Sequence, residues 1–441
     1  MAAGGDGRSG RKENLLSRSG VFLFLGVLLS CACSACAPQE GQQPGEKSTI
    51  IFKHAKHPRY AYLAALIRRF EDKNPNIHVV EEVLPASTDE QHQYYVINLA
   101  ARTGDFDVLD MDVIWVPEFA RAGWLQDLST DLSAAELSPL HSQALSADRL
   151  DGKLYGVPWF VDVGVLYYRR DLLTRYGEKP PTTYNDLVQT AQKVLEREKD
   201  PRLFGFVWQG LQYEGLACTA LEFIRGNGGD ILDEQGRVAV DRPAAVAAMQ
   251  FMHDLIYKYR VTPQLVTTLN EESCRIIFQS GRAVFMRNWP YVWRLVNQPD
   301  SPVAGRIGVI PIPHFPGHAS APTLGGFHLG VNNFSGHKRE AVEFLRFMIR
   351  EDVQRDILMN VGVLPAHMRV YQDPEIRRKM PFVAELYPLL GIARARPVTP
   401  YYLMISQVLQ PEFSAVIAGI RGPEAAMRTA ASQIEHLMGN T

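Results

Sequence analysis

The sequence predicts an α/β protein with more than one hydrophobic core. Strand-like and helix-like segments alternate along the chain. The first of them, Thr49 to Leu84, form a strand–helix–strand unit of about 35 residues, the length of a βαβ motif. The part beyond the N-terminal leader, about 390 residues, exceeds what one core ordinarily serves.

The elements follow in order. Thr49 to Phe52 is a short apolar run. In RYAYLAALIRRFEDKNP, Leu63, Leu66, Ile67 and Phe70 recur at three- and four-residue spacing, which puts them on one helix face. Asn74-Pro75-Asn76 stops that helix, and Ile77 to Leu84 reads as the second strand. Glu90 to Arg102 is helical, Val108 to Trp115 is a strand carrying acidic residues, and Pro117 to Ala122 opens another helix. Tyr155 to Pro158 and Gly164 to Tyr168 read as strands around a bend. Helices are expected over Tyr184 to Glu196 and Gly215 to Ile224, with a strand at Gly205 to Trp208 between them. Gly226-Asn227-Gly228-Gly229 is a fitting helix stop. Asp241 is placed to cap the helix Ala244 to Tyr259, with Pro243 in its first turn. Gly308 to Ile312 and His328 to Val331 are strands, and the tail from Glu340 is mostly helical. Periodicity leaves open whether the cores follow one another or interleave.

The N-terminus is an export signal. Arg8, Arg11, Lys12 and Arg18 precede Val21 to Leu29, an apolar run of nine residues, too short for the roughly 20 that span a bilayer. LLSC ending at Cys31 matches a bacterial lipobox, and CSAC ending at Cys36 is the second choice. Residues 1–36 are therefore read as a lipoprotein signal region and the polar stretch 37–47 as a tether. Acyl chains on one cysteine would anchor the protein at the outer face of the membrane or in the periplasm. The cysteines beyond the signal region, Cys218 and Cys274, read as two small buried hydrophobes.

Composition narrows the function. A formal net charge of -2 without a long basic run argues against a nucleic-acid partner. No phosphate-binding P-loop, dinucleotide fingerprint, nucleophile elbow or HExxH motif is present, so no cofactor and no catalytic set is expected. His54 and His57, three apart, read as solvent-exposed rather than as a metal pair. Asp105, Asp107, Asp110 and Asp112 form the densest acidic cluster, but a calcium loop counted from Asp105 or Asp107 lacks its glycine, so no metal site is expected. A glycosidase carboxylate pair is the enzymatic alternative. Aromatic residues beside carboxylates suit sugar binding, because the C–H faces of a sugar pack on flat rings while its hydroxyls bond to polar groups. Trp115, Trp159 and Trp208 read individually as core. Trp289, in the polar stretch MRNWPYVWR, reads at least as well as a platform.

MDVIWVPEFARAGWLQDLS, DGKLYGVPWFVDVGVLYYRRDLL, FGFVWQGLQYEGL, FQSGRAVFMRNWPYVW and APTLGGFHLGV resemble the sugar-binding lipoproteins of ABC importers, the trehalose/maltose-binding branch above all, over about residues 48 to 440. The resemblance implies a type II periplasmic-binding-protein fold: two α/β lobes, 48–159 with 311–363 and 160–310 with 364–441, closing on a hinge. It implies a non-enzymatic, monomeric receptor that delivers a di- or oligosaccharide to ABC permease subunits. A same-fold receptor for a non-sugar solute is the other alternative. By the same resemblance Asp112 bonds sugar hydroxyls, Phe160 and Asp162 supply a ring and an acid, and Trp289 and Tyr291 form the stacking platform. Gly326 and Phe327 give a backbone contact and an aromatic, and Arg396 reaches the ligand from the second lobe. Glu214 stands evenly between ligand contact and support. The basic stretch His54 to Arg59 departs from relatives that carry an acid there.

Overall fold

A computed structural model describes residues 47–439. The signal region, most of the tether, and both lipidation candidates, Cys31 and Cys36, lie outside the described residues. The strands are β1 (Ser48–Ala55), β2 (Ile77–Leu84), β3 (Val108–Asp112), the two-residue hairpin β4 (Arg149–Leu150) and β5 (Lys153–Leu154), β6 (Val157–Val163), β7 (Val165–Arg169), β8 (Phe204–Val207), β9 (Ala283–Asn288), β10 (Ile307–Pro311), β11 (Thr323–Val331), β12 (Leu364–Pro365) and β13 (Arg394–Ala395). They build two main sheets. One runs β12-β6-β11-β3-β1-β2, with β13 also on β11; the other runs β10-β7-β9-β8.

The first sheet contains the expected βαβ unit. β1 pairs parallel with β2 and β3, whereas β11 returns antiparallel between β3 and β6. The helix Leu63–Lys73 crosses over with the predicted face, and Leu63, Leu66, Ile67 and Phe70 are buried. Phe70 meets Phe344 and Phe347 of the helix Lys338–Met348 ring to ring. Burying such a side chain contributes about 1.5–3 kcal/mol, which is why the stripe fixes the helix on the sheet.

The chain changes sheets twice at short crossings. β6 ends at Val163 in the first sheet and β7 begins at Val165 in the second, with Gly164 between. β10 ends at Pro311 in the second sheet and β11 begins at Thr323 in the first. The two crossings touch, as Gly164 N donates to Thr323 O at 3.2 Å.

Several expectations are corrected. The strand expected over Val108 to Trp115 stops at Asp112, because the Asp112 carboxylate accepts from Ile114 N at 3.2 Å and Trp115 N bonds back to Asp112 O at 2.9 Å. That side-chain turn competes with the ladder and starts the helix Val116–Arg121. Asp241 does not cap: Arg242 is the N-cap of Pro243–Tyr257 and makes no side-chain cap bond. The expected break after Pro158 is absent, and β6 runs through Trp159 to Val163. His54, expected at the surface, is buried with its ring 4.4 Å from that of Tyr60.

Candidate functional site

The ends of the strands and the starts of three helices surround one cavity of about 330 Å³, within the range of small-molecule sites. From the first sheet come Asp112 at the end of β3, Asp162 in β6, and Gly325 to Phe327 in β11. From the side of the second sheet come Trp289 and Tyr291 beyond β9 and the segment Leu211 to Gly215. Arg396 follows β13. The N-terminal ends of Thr88–Ala100, Glu214–Gly226 and Glu271–Gln279 all reach this space, and Asp89, Glu214 and Glu271 stand in their first turns. A carboxylate there complements the partial positive charge of a helix start.

Arg396 joins the two sides. Its Nη2 donates to Asp112 Oδ1 at 2.6 Å and its Nη1 to Glu214 Oε1 at 2.9 Å. All three side chains are buried, and Arg396 Nε has no hydrogen-bond partner among the described residues. Burial alone would lower the Arg396 guanidinium, but the Asp112 and Glu214 charges hold it well above its ordinary value. Burial raises the Glu214 carboxyl, and Arg396 and Ser406 offset part of that rise. Tyr402 Oη donates to Glu214 Oε1 at 2.8 Å, and Ser406 bonds the other oxygen. Glu214 is thus a support for Arg396 as well as a lining residue.

Trp289 is partly exposed at the cavity, with Nε1 3.4 Å from Glu271 Oε1. Tyr213 donates to the second oxygen of Glu271 at 2.5 Å. Tyr291 donates to Glu272 Oε1 at 2.7 Å and presents its ring edge-on to His57 at 4.7 Å. β11 approaches closely because it carries glycines. A Cβ on Gly325 would lie 3.3 Å from Trp289 Cζ3. Gly326 has φ +136°, and a Cβ there would lie 2.5 Å from Phe160 O. Only glycine suits that backbone.

Asp112, Asp162, Trp289, Tyr291, Gly326, Phe327, Arg396 and Glu214 all line the cavity. Phe160, expected as a ring facing the ligand, does not: it is buried and stacked on Phe327 at 5.6 Å, with Phe327 taking the cavity side. Sequence reasoning missed Ser87, Asp89, Tyr213 and Glu271. The signal for Ser87, Asp89 and Glu271 was the helix-start chemistry of STDE and NEES, where Ser87 and Asn270 accept from the third backbone N–H, whereas Tyr213 precedes its helix without a side-chain cap bond. Trp115, Trp159 and Trp208 are core residues.

Cys218 lines the cavity and Cys274 lies in the core; neither is in a disulfide, and burial pushes both thiols up. Alkylation needs the thiolate. Iodoacetamide at pH 8 is expected to leave the peptides carrying Cys218 and Cys274 unmodified until denaturant is added. Peptide mapping that finds Cys218 alkylated in the native protein would contradict this.

Residues 54–355 match the family described as bacterial extracellular solute-binding protein. The chain belongs to this family. It is therefore an exported binding protein and not an enzyme. A probable ABC transporter-binding protein of Deinococcus radiodurans is 36% identical over 363 residues, 81% of this chain and 86% of the relative. MalE3 of T. maritima, solved with maltose bound, is 41% identical with a TM-score of 0.85, covering 88% of this chain and 100% of that one. An ABC transporter solute-binding protein from Thermotoga lettingae, bound with alpha-D-tagatose, is 25% identical with a TM-score of 0.80, covering 89% and 100%. These likenesses, with the two sheets and the crossings, give the two-lobed periplasmic-binding-protein fold. Among the described residues no helix is long and apolar enough to cross a membrane.

Proposed function

We propose that this protein captures a di- or oligosaccharide of the maltose or trehalose kind and hands it to the permease of an ABC importer. The observation that carries the reading is the convergence of the Trp289 ring, from beyond β9, with Asp112 and Asp162 of the first sheet around one cavity. The ring suits the C–H face of a sugar, and the carboxylates and Arg396 suit its hydroxyls. The maltose-bound relative at 41% identity supports the same class of ligand.

The mechanism needs no covalent step. A sugar that touches both sides favours the closed arrangement only by its differential affinity for it. The lobes we infer are 48–159 with 311–363 and 160–310 with 364–441. The change of sheets at Gly164 and between Pro311 and Thr323 supports the interleaving. The receptor acts as a monomer, held to the outer face of the membrane through a lipid on Cys31 or Cys36.

Trp289→Ala is expected to weaken maltose or trehalose binding about tenfold or more, equivalent to ~1.4 kcal/mol. Titration calorimetry checks this. Unchanged affinity in the variant would remove the platform assignment. A wild-type protein whose melting temperature responds to no saccharide would remove the sugar reading itself.

A further inference from the structure

We propose that Arg287, which lies outside the cavity lining, is a positioning residue that couples the crossing between the sheets to the Trp289 ring. The proposal rests on reading Trp289 as the sugar platform.

Arg287 is in β9, two residues before Trp289, and 1% exposed. Its guanidinium carbon lies 4.0 Å from the centroid of the Trp289 indole. A planar cation at that distance covers one face of the ring and attracts it. The face left for a ligand is the opposite one.

The guanidinium is itself fixed. Nε donates to Glu222 Oε2 at 2.9 Å and Nη2 to Glu222 Oε1 at 2.6 Å, a two-pronged pair in which both side chains are 1% exposed. Nη1 donates to Gln209 Oε1 at 3.1 Å, and Gln209 Nε2 returns to Arg287 O at 3.1 Å. The angle of the fork, and hence of the plane over the indole, is therefore set by Glu222.

Glu222 is in turn bonded at one crossing and closely approached by the other. Its Oε1 also accepts from Thr323 N at 3.2 Å, at the first residue of β11. Thr323 Oγ1 donates to Cys218 O at 3.2 Å, one turn earlier on the same helix. Gly164, the lone residue between β6 and β7, passes so close that a Cβ would lie 1.8 Å from Glu222 Oε1 and 2.7 Å from Arg287 Nη2. Two residues beyond Thr323, Gly325 meets the edge of Trp289. The start of β11 thus touches both ends of the series Glu222–Arg287–Trp289. A rotation of the crossing strands moves the carboxylate that aims the guanidinium and the backbone that seats the ring. The platform is seated where the sheets exchange strands.

The test is a double-mutant cycle on the full chain with maltose as the probe. Arg287→Lys keeps the charge for Glu222 but loses the flat fork. We expect it to weaken maltose binding about tenfold alone and to add nothing to Trp289→Ala, because it acts through that ring. Additive losses, or an unchanged affinity in Arg287→Lys, overturn the proposal while leaving the platform reading intact. Loss of the platform reading has a different signature, an unchanged affinity in Trp289→Ala. A second readout needs no ligand: the emission of each protein minus that of its Trp289→Phe counterpart isolates this indole. Arg287→Lys is expected to shift that difference spectrum, and an unshifted one overturns the proposal. Should Arg287→Lys fail to fold, the paired replacement Glu222→Gln with Arg287→Met removes both buried charges together and is read by the same spectrum.

Discussion

Replacing Arg396 by methionine is expected to remove about 3–5 kcal/mol of folding stability at neutral pH, the loss typical of breaking a buried ion pair from one side. The geometry explains why the loss is at the upper end. One guanidinium serves two carboxylates, Asp112 at the end of β3 and Glu214 at the start of Glu214–Gly226, and all three groups are buried. Methionine fills the volume but leaves two acids facing each other without a cation between them. Glu214 keeps Tyr402 and Ser406, so Asp112 is the group left worse off. Sugar affinity should fall tenfold to a hundredfold as well, since a hydrogen bond from a charged donor contributes about 1.5–3 kcal/mol. Arg396 lines the cavity, which is why the affinity is expected to fall with the stability. Denaturant midpoints and titration calorimetry measure the two losses separately. A variant within 1 kcal/mol of the parent would show that the guanidinium is not what holds the two acids together. Glu214→Gln is the milder comparison, because its amide oxygen still accepts from Arg396 while the charge is gone.

The pattern of losses also shows which parts of this architecture a linear reading can reach. The helix Leu63–Lys73 was legible because its stripe reports one physical demand, burial of one face against a sheet. The extent of β3 was not, since alternation continues through Val113 and Trp115, and only the local bond from Ile114 N to the Asp112 carboxylate ends the strand. A side chain that can satisfy the backbone in two ways is ambiguous until its neighbours are known. Within the site, residues in long motifs such as NWPY and LGGF were legible. Phe160 was misread because its face of β6 is right but Phe327, its cross-strand neighbour on β11, stacks beside it and is the ring that reaches the cavity. Asp89, Tyr213 and Glu271 were missed because their role arises only when three separate helix starts are brought to one cavity. Arg287 and Glu222 carry no sequence signal at all: an Arg in an apolar strand and a Glu in an apolar helix look like errors of pattern until they are seen paired.

His328→Leu is expected to destabilise the protein by about 1–3 kcal/mol at pH 7.5, the cost of leaving the buried Asp148 acceptor without its donor, and by clearly less at pH 4.5. His328 lies in β11 beside Phe327, and Asp148 follows the helix Ser142–Ala147; both side chains are fully buried, with Nδ1 and Oδ1 2.7 Å apart. Burial raises the Asp148 carboxyl, while the charge and hydrogen bond of His328 offset part of the rise. A carboxyl raised on folding adds stability in full only below its unfolded value, and that stability is lost as pH rises through the folded value. Removing His328 takes away the offset, so the folded value climbs further and the loss grows toward neutral pH. In acid the carboxyl accepts a proton, the uncompensated charge disappears, and what remains is the change of side-chain shape. Urea midpoints at the two pH values decide the matter. Equal losses in His328→Leu at pH 7.5 and 4.5 would mean that packing against β11, rather than a buried charge, is what His328 supplies.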